Sequence, residues 1–324
     1  MPRNKAPKKR PESLHIYISN TCNLRCVYCL PEEGNTPIDP DEALRPEELT
    51  RVLRVATREG ISSVELLGGE PLMRKGLFPF YDEAVKMEDL RQFMITTNGV
   101  LLEDSLPELV KAGVRSLTVC IDTLNPAKYQ KLTRGDFLYR VMEGLKQAEK
   151  VGMLPIRINV LIIKDFNEDE IIDFAMLTKD HPYIIKFIGY QPAPSRKSEE
   201  QEIGPISAAE IRENMSGFQR LIPMKFKGTN KIVCYRFQDA LGRIEFFDAD
   251  EEHQCGECTR VGLTVDGQLQ SCLLGEGKVD LKEILREGGD DYEIVKAIRK
   301  AFRYKPKKPP AGTRMFKRCT WIGM

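Results

Sequence analysis

The chain has 324 residues, 41% of them hydrophobic and 30% charged, with 49 Lys and Arg against 48 Asp and Glu. That is the balance of a globular fold with a full core, and a net charge of +1 gives no general pull toward nucleic acid or an anionic membrane. No apolar run approaches the roughly 20 residues of a membrane span, and the basic start MPRNKAPKKRP lacks the apolar stretch of a secretory signal, so a cytoplasmic protein is expected.

Residues 1–12 read as a disordered basic arm. From there strand and helix patterns alternate. LHIYIS (14–19) reads as a strand, and 45–60 as a helix closed by Gly60. The strands 63–68, 91–99, 116–122, 156–164 and 183–191 follow, separated by helices at 77–87, 106–113, 140–152 and 168–179. Six strands with helical crossovers predict an α/β fold with a mainly parallel sheet, two units short of a closed eight-stranded barrel. An open partial (βα)6 barrel over 13–195 is therefore expected, with its ligand site at the carboxyl ends of the strands. After a polar stretch at 193–207 come short antiparallel strand patterns, a cysteine-rich segment and two helices. They predict a small C-terminal α+β domain over 196–324.

Nine cysteines are many for a chain without an export signal, and they favour metal or redox chemistry over disulfides. Cys22, Cys26 and Cys29 form one trio directly after the first strand. Cys255, Cys258 and Cys272 form a second, and Cys120, Cys234 and Cys319 stand apart. A structural zinc site needs four ligands, and a [4Fe–4S] cluster normally takes four thiolates. The first trio has no fourth ligand nearby in sequence; three thiolates would leave one iron open to another ligand. The second trio admits a zinc knuckle completed by Cys234, His253 or Cys319, and a zinc-stabilised binding module is the non-enzymatic reading.

The spacing CxxxCxxC after the first strand resembles the signature of radical S-adenosylmethionine (SAM) enzymes. Other matches follow in order: Tyr28 inside the trio, GGEP at 68–71, TTNG at 96–99 and Asn159 in RINV. The resemblance implies a [4Fe–4S] cluster on Cys22, Cys26 and Cys29 that binds SAM and cleaves it to a 5′-deoxyadenosyl radical. It further implies SAM contacts from Tyr28, Gly68, Gly69, Glu70 (to the amino group), Thr97, Cys120, Asn159 and Gln191. The segment CGECTRVGLTVDGQLQSC and the stretch 122–152 are similar to the GTP 3′,8-cyclases of molybdenum-cofactor synthesis. That likeness implies a second [4Fe–4S] cluster on Cys255, Cys258 and Cys272, whose open iron faces the substrate.

Positions that are basic in that family are altered here. Arg157, Lys186 and Arg260 keep a positive charge, whereas His15, Ser63, Glu65 and Gly262 do not. The terminal Gly-Gly becomes Gly323-Met324. The expectation is therefore a cyclase-like radical SAM enzyme acting on a substrate other than GTP, with Arg157, Lys186, Arg260 and His15 as substrate contacts. Arg74, Lys75 or the basic tail could instead compensate, and the alternative is a divergent GTP 3′,8-cyclase. The expected partners are a small-molecule or peptide substrate and a flavodoxin- or ferredoxin-type electron donor, with no membrane or nucleic acid, in a monomer or homodimer. Cys234 or Cys319 is either a fourth cluster ligand, a hydrogen donor or an inert thiol.

Overall fold

The computed structural model describes residues 10–29, 35–190, 204–224, 232–247, 258–271 and 277–304. Six strands form the parallel centre of one sheet: β1 (Ser13–Ser19), β2 (Ser63–Gly68), β3 (Gln92–Thr97), β4 (Ser116–Cys120), β5 (Ile156–Ile162) and β6 (Ile184–Gly189). Between them run α1 (Pro46–Arg58), α2 (Phe78–Ala84), α3 (Leu102–Lys111), α4 (Pro126–Thr133), α5 (Leu138–Lys150) and α6 (Ile171–Asp180). The expected partial barrel is thus present, with α4 as an additional helix before α5. Residue 195, the expected boundary, lies outside the described residues.

The C-terminal strands continue the same sheet at both edges. β9 (Arg243–Phe247) joins β6 in parallel and carries the antiparallel β8 (Ile232–Arg236) and β7 (Ile222–Met224). β10 (Arg260–Leu263) joins β1 in parallel and carries the antiparallel β11 (Gln268–Gln270) and β12 (Lys278–Asp280). Among the described residues the order is β12-β11-β10-β1-β2-β3-β4-β5-β6-β9-β8-β7. Helix α7 (Ala208–Ser216) packs near β6, and α8 (Leu281–Arg286) and α9 (Asp291–Arg303) close over the β10 side and α1. Glu12 N donates to Thr259 O at 2.9 Å, at the foot of the β1–β10 pair.

Alternation decides where the core sits. Leu14, Ile16 and Ile18 on β1, Val64 and Leu66 on β2, Ile158 and Val160 on β5, and Ile185 and Phe187 on β6 all face one side. They pack with Leu53 of α1, Val141 of α5 and Phe174 of α6 in one apolar core. The alternate positions of the same strands are His15, Glu65, Arg157, Asn159 and Lys186, with Thr96 on β3, Thr118 on β4 and Glu245 on β9. A parallel sheet covered by helices on both faces would be apolar on both. Here the helices cover one face, and the polar face lines the concave interior.

Candidate active site

The first cysteine trio sits at the carboxyl end of β1. Its loop is stitched to the GGEP turn by two backbone hydrogen bonds: Gly69 N to Ser19 O at 2.9 Å and Glu70 N to Thr21 O at 2.7 Å. The approach is closer than any side chain permits, since a Cβ on Gly69 would stand 2.2 Å from Thr21 O and one on Gly68 2.4 Å from Ser19 O. On the other side, Arg25 N and Val27 N donate to Thr133 O and Leu132 O at the end of α4, at 3.0 and 2.8 Å. Cys22, Cys26 and Cys29 then line one cavity of about 410 Å³, together with Gly68, Gly69, Asn98, Cys120 and Asp122.

Glu70 and Thr97 stand behind this cavity. Glu70 is fully buried and accepts from Leu72 N (2.9 Å), the Thr97 hydroxyl (2.7 Å) and Asn98 N (2.7 Å). Burial raises its pKa, and these three hydrogen bonds oppose the rise. Their polar groups join the ends of β2 and β3. What the two motifs offer the cavity is the glycine backbone and Asn98, which the sequence reading left without a role. Asn98 Nδ2 donates to Asn23 Oδ1 at 2.8 Å and to Cys22 Sγ at 3.5 Å.

Tyr28 is buried beside Leu132 and Leu161, and its hydroxyl donates to Asp122 Oδ2. Leu161 N donates to the other Asp122 oxygen at 2.8 Å. Burial pushes Asp122 up to about 6 even though these hydrogen bonds oppose it. Asp122 closes the tie between the cysteine loop and β4–β5, a role missed in the sequence because it lies inside a strand pattern. Cys120 and Asn159 are register partners on β4 and β5, with Asn159 Nδ2 3.9 Å from Cys120 Sγ.

Deeper on the concave face the charged residues meet. Arg157 and Arg243 both bond Glu245, the latter through Nε at 3.0 Å. Burial pushes Glu245 up, but the two guanidinium groups outweigh it and hold its carboxyl below the usual range. Glu65 accepts from the Thr96 hydroxyl at 2.5 Å and lies 3.6 Å from His15 Nε2. Burial raises its pKa against the pull of Lys186, Arg260 and Arg157. Arg157 and Lys186 lie on β5 and β6, three and four strands from Glu65 on β2, so their influence on it reports the curvature of the sheet. Burial, with Arg157 next in weight, drives Lys186 down to about 8. The predicted contacts Arg157, Lys186, Arg260 and His15 are therefore brought together. Arg74 cannot supplement them, because its guanidinium is bonded to Ile18 O (3.0 Å) and Leu44 O.

Of the second trio, Cys258 is described and half-buried, two residues before β10. It stands at the amino end of the β1–β10 pair, whereas the first trio follows the carboxyl end of β1. Seven residues of β1 separate the two levels, a span of about 23 Å. Cys255, Cys272, His253, Cys319, Gln191, Gly323 and Met324 lie outside the described residues. Cys234 is buried on β8, its thiol 3.9 Å from Met224 Sδ.

The first trio fits a cluster in its donor chemistry. Burial, with the Cys29 charge next, pushes the Cys26 thiol well up, and burial also raises Cys22. Three crowded thiols resist ionising together, and a cluster would supply the positive charge that lets them do so. Among the described residues, no three His, Cys, Asp or Glu side chains converge on the position of a single metal ion. The thiols line a cavity instead.

A partial parallel barrel with a cysteine trio stitched to a glycine turn at its rim defines a class. Residues 16–178 match the model of the Radical SAM superfamily, and residues 183–310 that of Molybdenum Cofactor Synthesis C. The chain belongs to the radical SAM superfamily, as an enzyme of the branch that carries this C-terminal region. It is 35% identical over 312 residues to a protein of Thermodesulfovibrio yellowstonii named GTP 3′,8-cyclase, covering 96% of each chain. It is 38% identical to the protein of that name from Pelotomaculum thermopropionicum, covering 91% of each. Human molybdenum cofactor biosynthesis protein 1 is 35% identical over 91% of this chain and 46% of its own. Streptococcus suis SuiB, solved bound to S-adenosylmethionine, shares the fold with a TM-score of 0.62 at 18% identity, over 87% of this chain and 66% of that one. The relatives' names fit the GTP alternative better than the expectation of a different substrate. No helix among the described residues is long and apolar enough to cross a membrane.

Proposed function

We propose that this radical SAM enzyme carries out a GTP 3′,8-cyclase type of reaction on a purine nucleotide held against the concave face. The observation that carries the reading is the convergence of Arg157, Lys186 and Arg260 below the thiol-lined cavity, a basic floor beneath a radical-generating rim. Relatives of 35–38% identity over more than 90% of the chain bear that name, which supports it.

A [4Fe–4S] cluster with SAM supplies, when bound, reductive C–S cleavage and hydrogen-atom abstraction. Cys22, Cys26 and Cys29 would hold three of its irons. Gly68 and Gly69 would present backbone to the SAM amino acid without side-chain obstruction, and Glu70 and Thr97 would hold that backbone in place. Asn98 and Leu24 N donate toward Cys22 Sγ, at 3.5 and 3.4 Å, and so orient that ligand. Tyr28, Cys120, Asn159 and Gln191 complete the proposed cofactor contacts. Cys255, Cys258 and Cys272 would hold a second cluster, and a flavodoxin- or ferredoxin-type donor would deliver the electron. His15 joins the three basic residues as a substrate contact.

The test is anaerobic reconstitution followed by incubation with SAM, dithionite and GTP. The expected result is 5′-deoxyadenosine together with a cyclised product that requires GTP. If 5′-deoxyadenosine forms above a Cys22→Ala control but GTP is recovered unchanged, the cyclase reading falls.

A further inference from the structure

We propose that Glu65 and Glu245 are specificity-determining residues that make the substrate site take a purine nucleotide with one phosphate in preference to its triphosphate. The inference rests on the reading that the concave face is the substrate site, and it concerns what that face can neutralise. Among the described residues, Arg157, Arg243, Lys186 and Arg260 bring four cations to this wall, and two carboxylates lie among them. Glu245, its side chain 5% exposed, binds Arg157 and Arg243 together. Glu65, 15% exposed, is fixed by Thr96 and stands within the field of Lys186, Arg260 and Arg157.

A triphosphate presents about four negative charges and many acceptor oxygens, and Arg forks are the groups suited to meet them. For Arg157 to turn to such a ligand it must leave Glu245, which then stands buried without one of its two partners. Removing one partner of a buried ion pair is costly because the other charge stays behind. Glu65 raises a second obstacle, a fixed carboxylate beside any polyanion that reaches Lys186. Lys186 itself has no ion pair among the described residues; its ammonium lies 4.7 Å from the centre of the Phe247 ring. Among the described residues, one ammonium able to receive an anion, beside two guanidinium groups already bound to Glu245, suits a single phosphate group.

The test is equilibrium dialysis of the reconstituted full-length protein with guanosine, GMP and GTP, read as binding and independent of turnover. Wild type should bind GMP at least as tightly as GTP. Glu65→Gln keeps an acceptor for Thr96 while removing the charge. It should tighten GTP several-fold or more and leave guanosine unchanged, since one like charge at close range is worth about fivefold even when well screened. Glu245→Gln frees Arg157 and Arg243 and should shift the GTP to GMP ratio the same way. If that variant misfolds, as a melting curve would reveal, Glu65→Gln alone carries the test. A wild type that prefers GTP tenfold, or a ratio unmoved by Glu65→Gln, overturns charge selection and leaves the cyclase reading standing. If no guanine compound binds wild type or either variant, both fall.

Discussion

The rim of the barrel and its concave wall are built on different principles. At the rim, backbone does the positioning: Gly69 N and Glu70 N bond the cysteine loop, α4 carbonyls receive Arg25 N and Val27 N, and buried Glu70 ties the ends of β2 and β3. On the wall, long charged side chains meet across strands, as Arg157 and Arg243 do on Glu245. Backbone contacts fix geometry with little tolerance, which radical generation requires. Side-chain charge sets preference and can be altered without moving the chain. The difference teaches that this scaffold can keep its chemistry while changing what it acts upon.

The comparison breaks most sharply at the thiols. Cys26→Ala removes one of the three proposed ligands, and 5′-deoxyadenosine formation should fall to background along with the iron content of the first site. Retained cluster absorbance and turnover in that variant would remove the rim from the chemistry altogether.

Next in size is Gly69→Ala. The added methyl would lie 2.2 Å from Thr21 O, so the cysteine loop must move away from the turn. A displacement of about 1 Å is worth on the order of 100-fold in rate. SAM cleavage should fall by that order while nucleotide binding to the wall changes little. Equal losses in both would mean that rim and wall are not separable.

The wall has its own signature in pH. Burial, followed by the Arg157 charge, depresses Lys186 to about 8, so its ammonium is lost as pH rises through that value. Anion binding should therefore hold steady below pH 8 and weaken above it, approaching about tenfold per pH unit. Stability runs the other way, rising with pH between 8 and the ordinary lysine range, because the unfolded chain there binds the extra proton. Lys186→Arg should flatten the binding profile. A wild-type profile level to pH 10 would take Lys186 out of the site.

How far each region was legible in sequence follows from the same contrast. The rim is contiguous: CxxxCxxC, GGEP and TTNG are short runs at strand ends, and alternation placed the six strands to within a few residues. What escaped there was local. Asn98, which lines the cavity, was not singled out, because a motif does not tell which of its side chains turns inward. Helix α4 was missed although Asn125 caps it and Pro126 opens it; it is only eight residues long. Likewise α7 begins with a Ser207–Glu210 capping box, just where the stretch read as polar ends. The wall is dispersed, with single residues from β1, β2, β5, β6 and β10 and the pair Arg243 and Glu245 from β9. Glu245 stayed hidden because its partner Arg157 is 88 positions away and only the register of β5, β6 and β9 brings them together. The placement of β9 and β10 on opposite edges was equally unreadable, since local pattern does not encode which edge a short strand completes.

The finest discrimination between the two regions comes from adjacent residues. Thr96 and Thr97 face opposite ways, and each donates its hydroxyl to a carboxylate: Thr96 to Glu65 on the wall at 2.5 Å, Thr97 to Glu70 behind the rim at 2.7 Å. Thr97 also accepts from Gly99 N at 3.0 Å, so Thr97→Val leaves two buried groups without this partner. At about 1–3 kcal/mol for an unmet buried polar group, Thr97→Val should cost at least that much in denaturant unfolding. Thr96→Val removes one bond, from a carboxylate that His15 and nearby cations still attend. Its cost should stay near about 1 kcal/mol, with its main effect on nucleotide preference. Equal destabilisation by the two would show that Glu65 is as structural as Glu70, and that the wall is scaffold in the same sense as the rim.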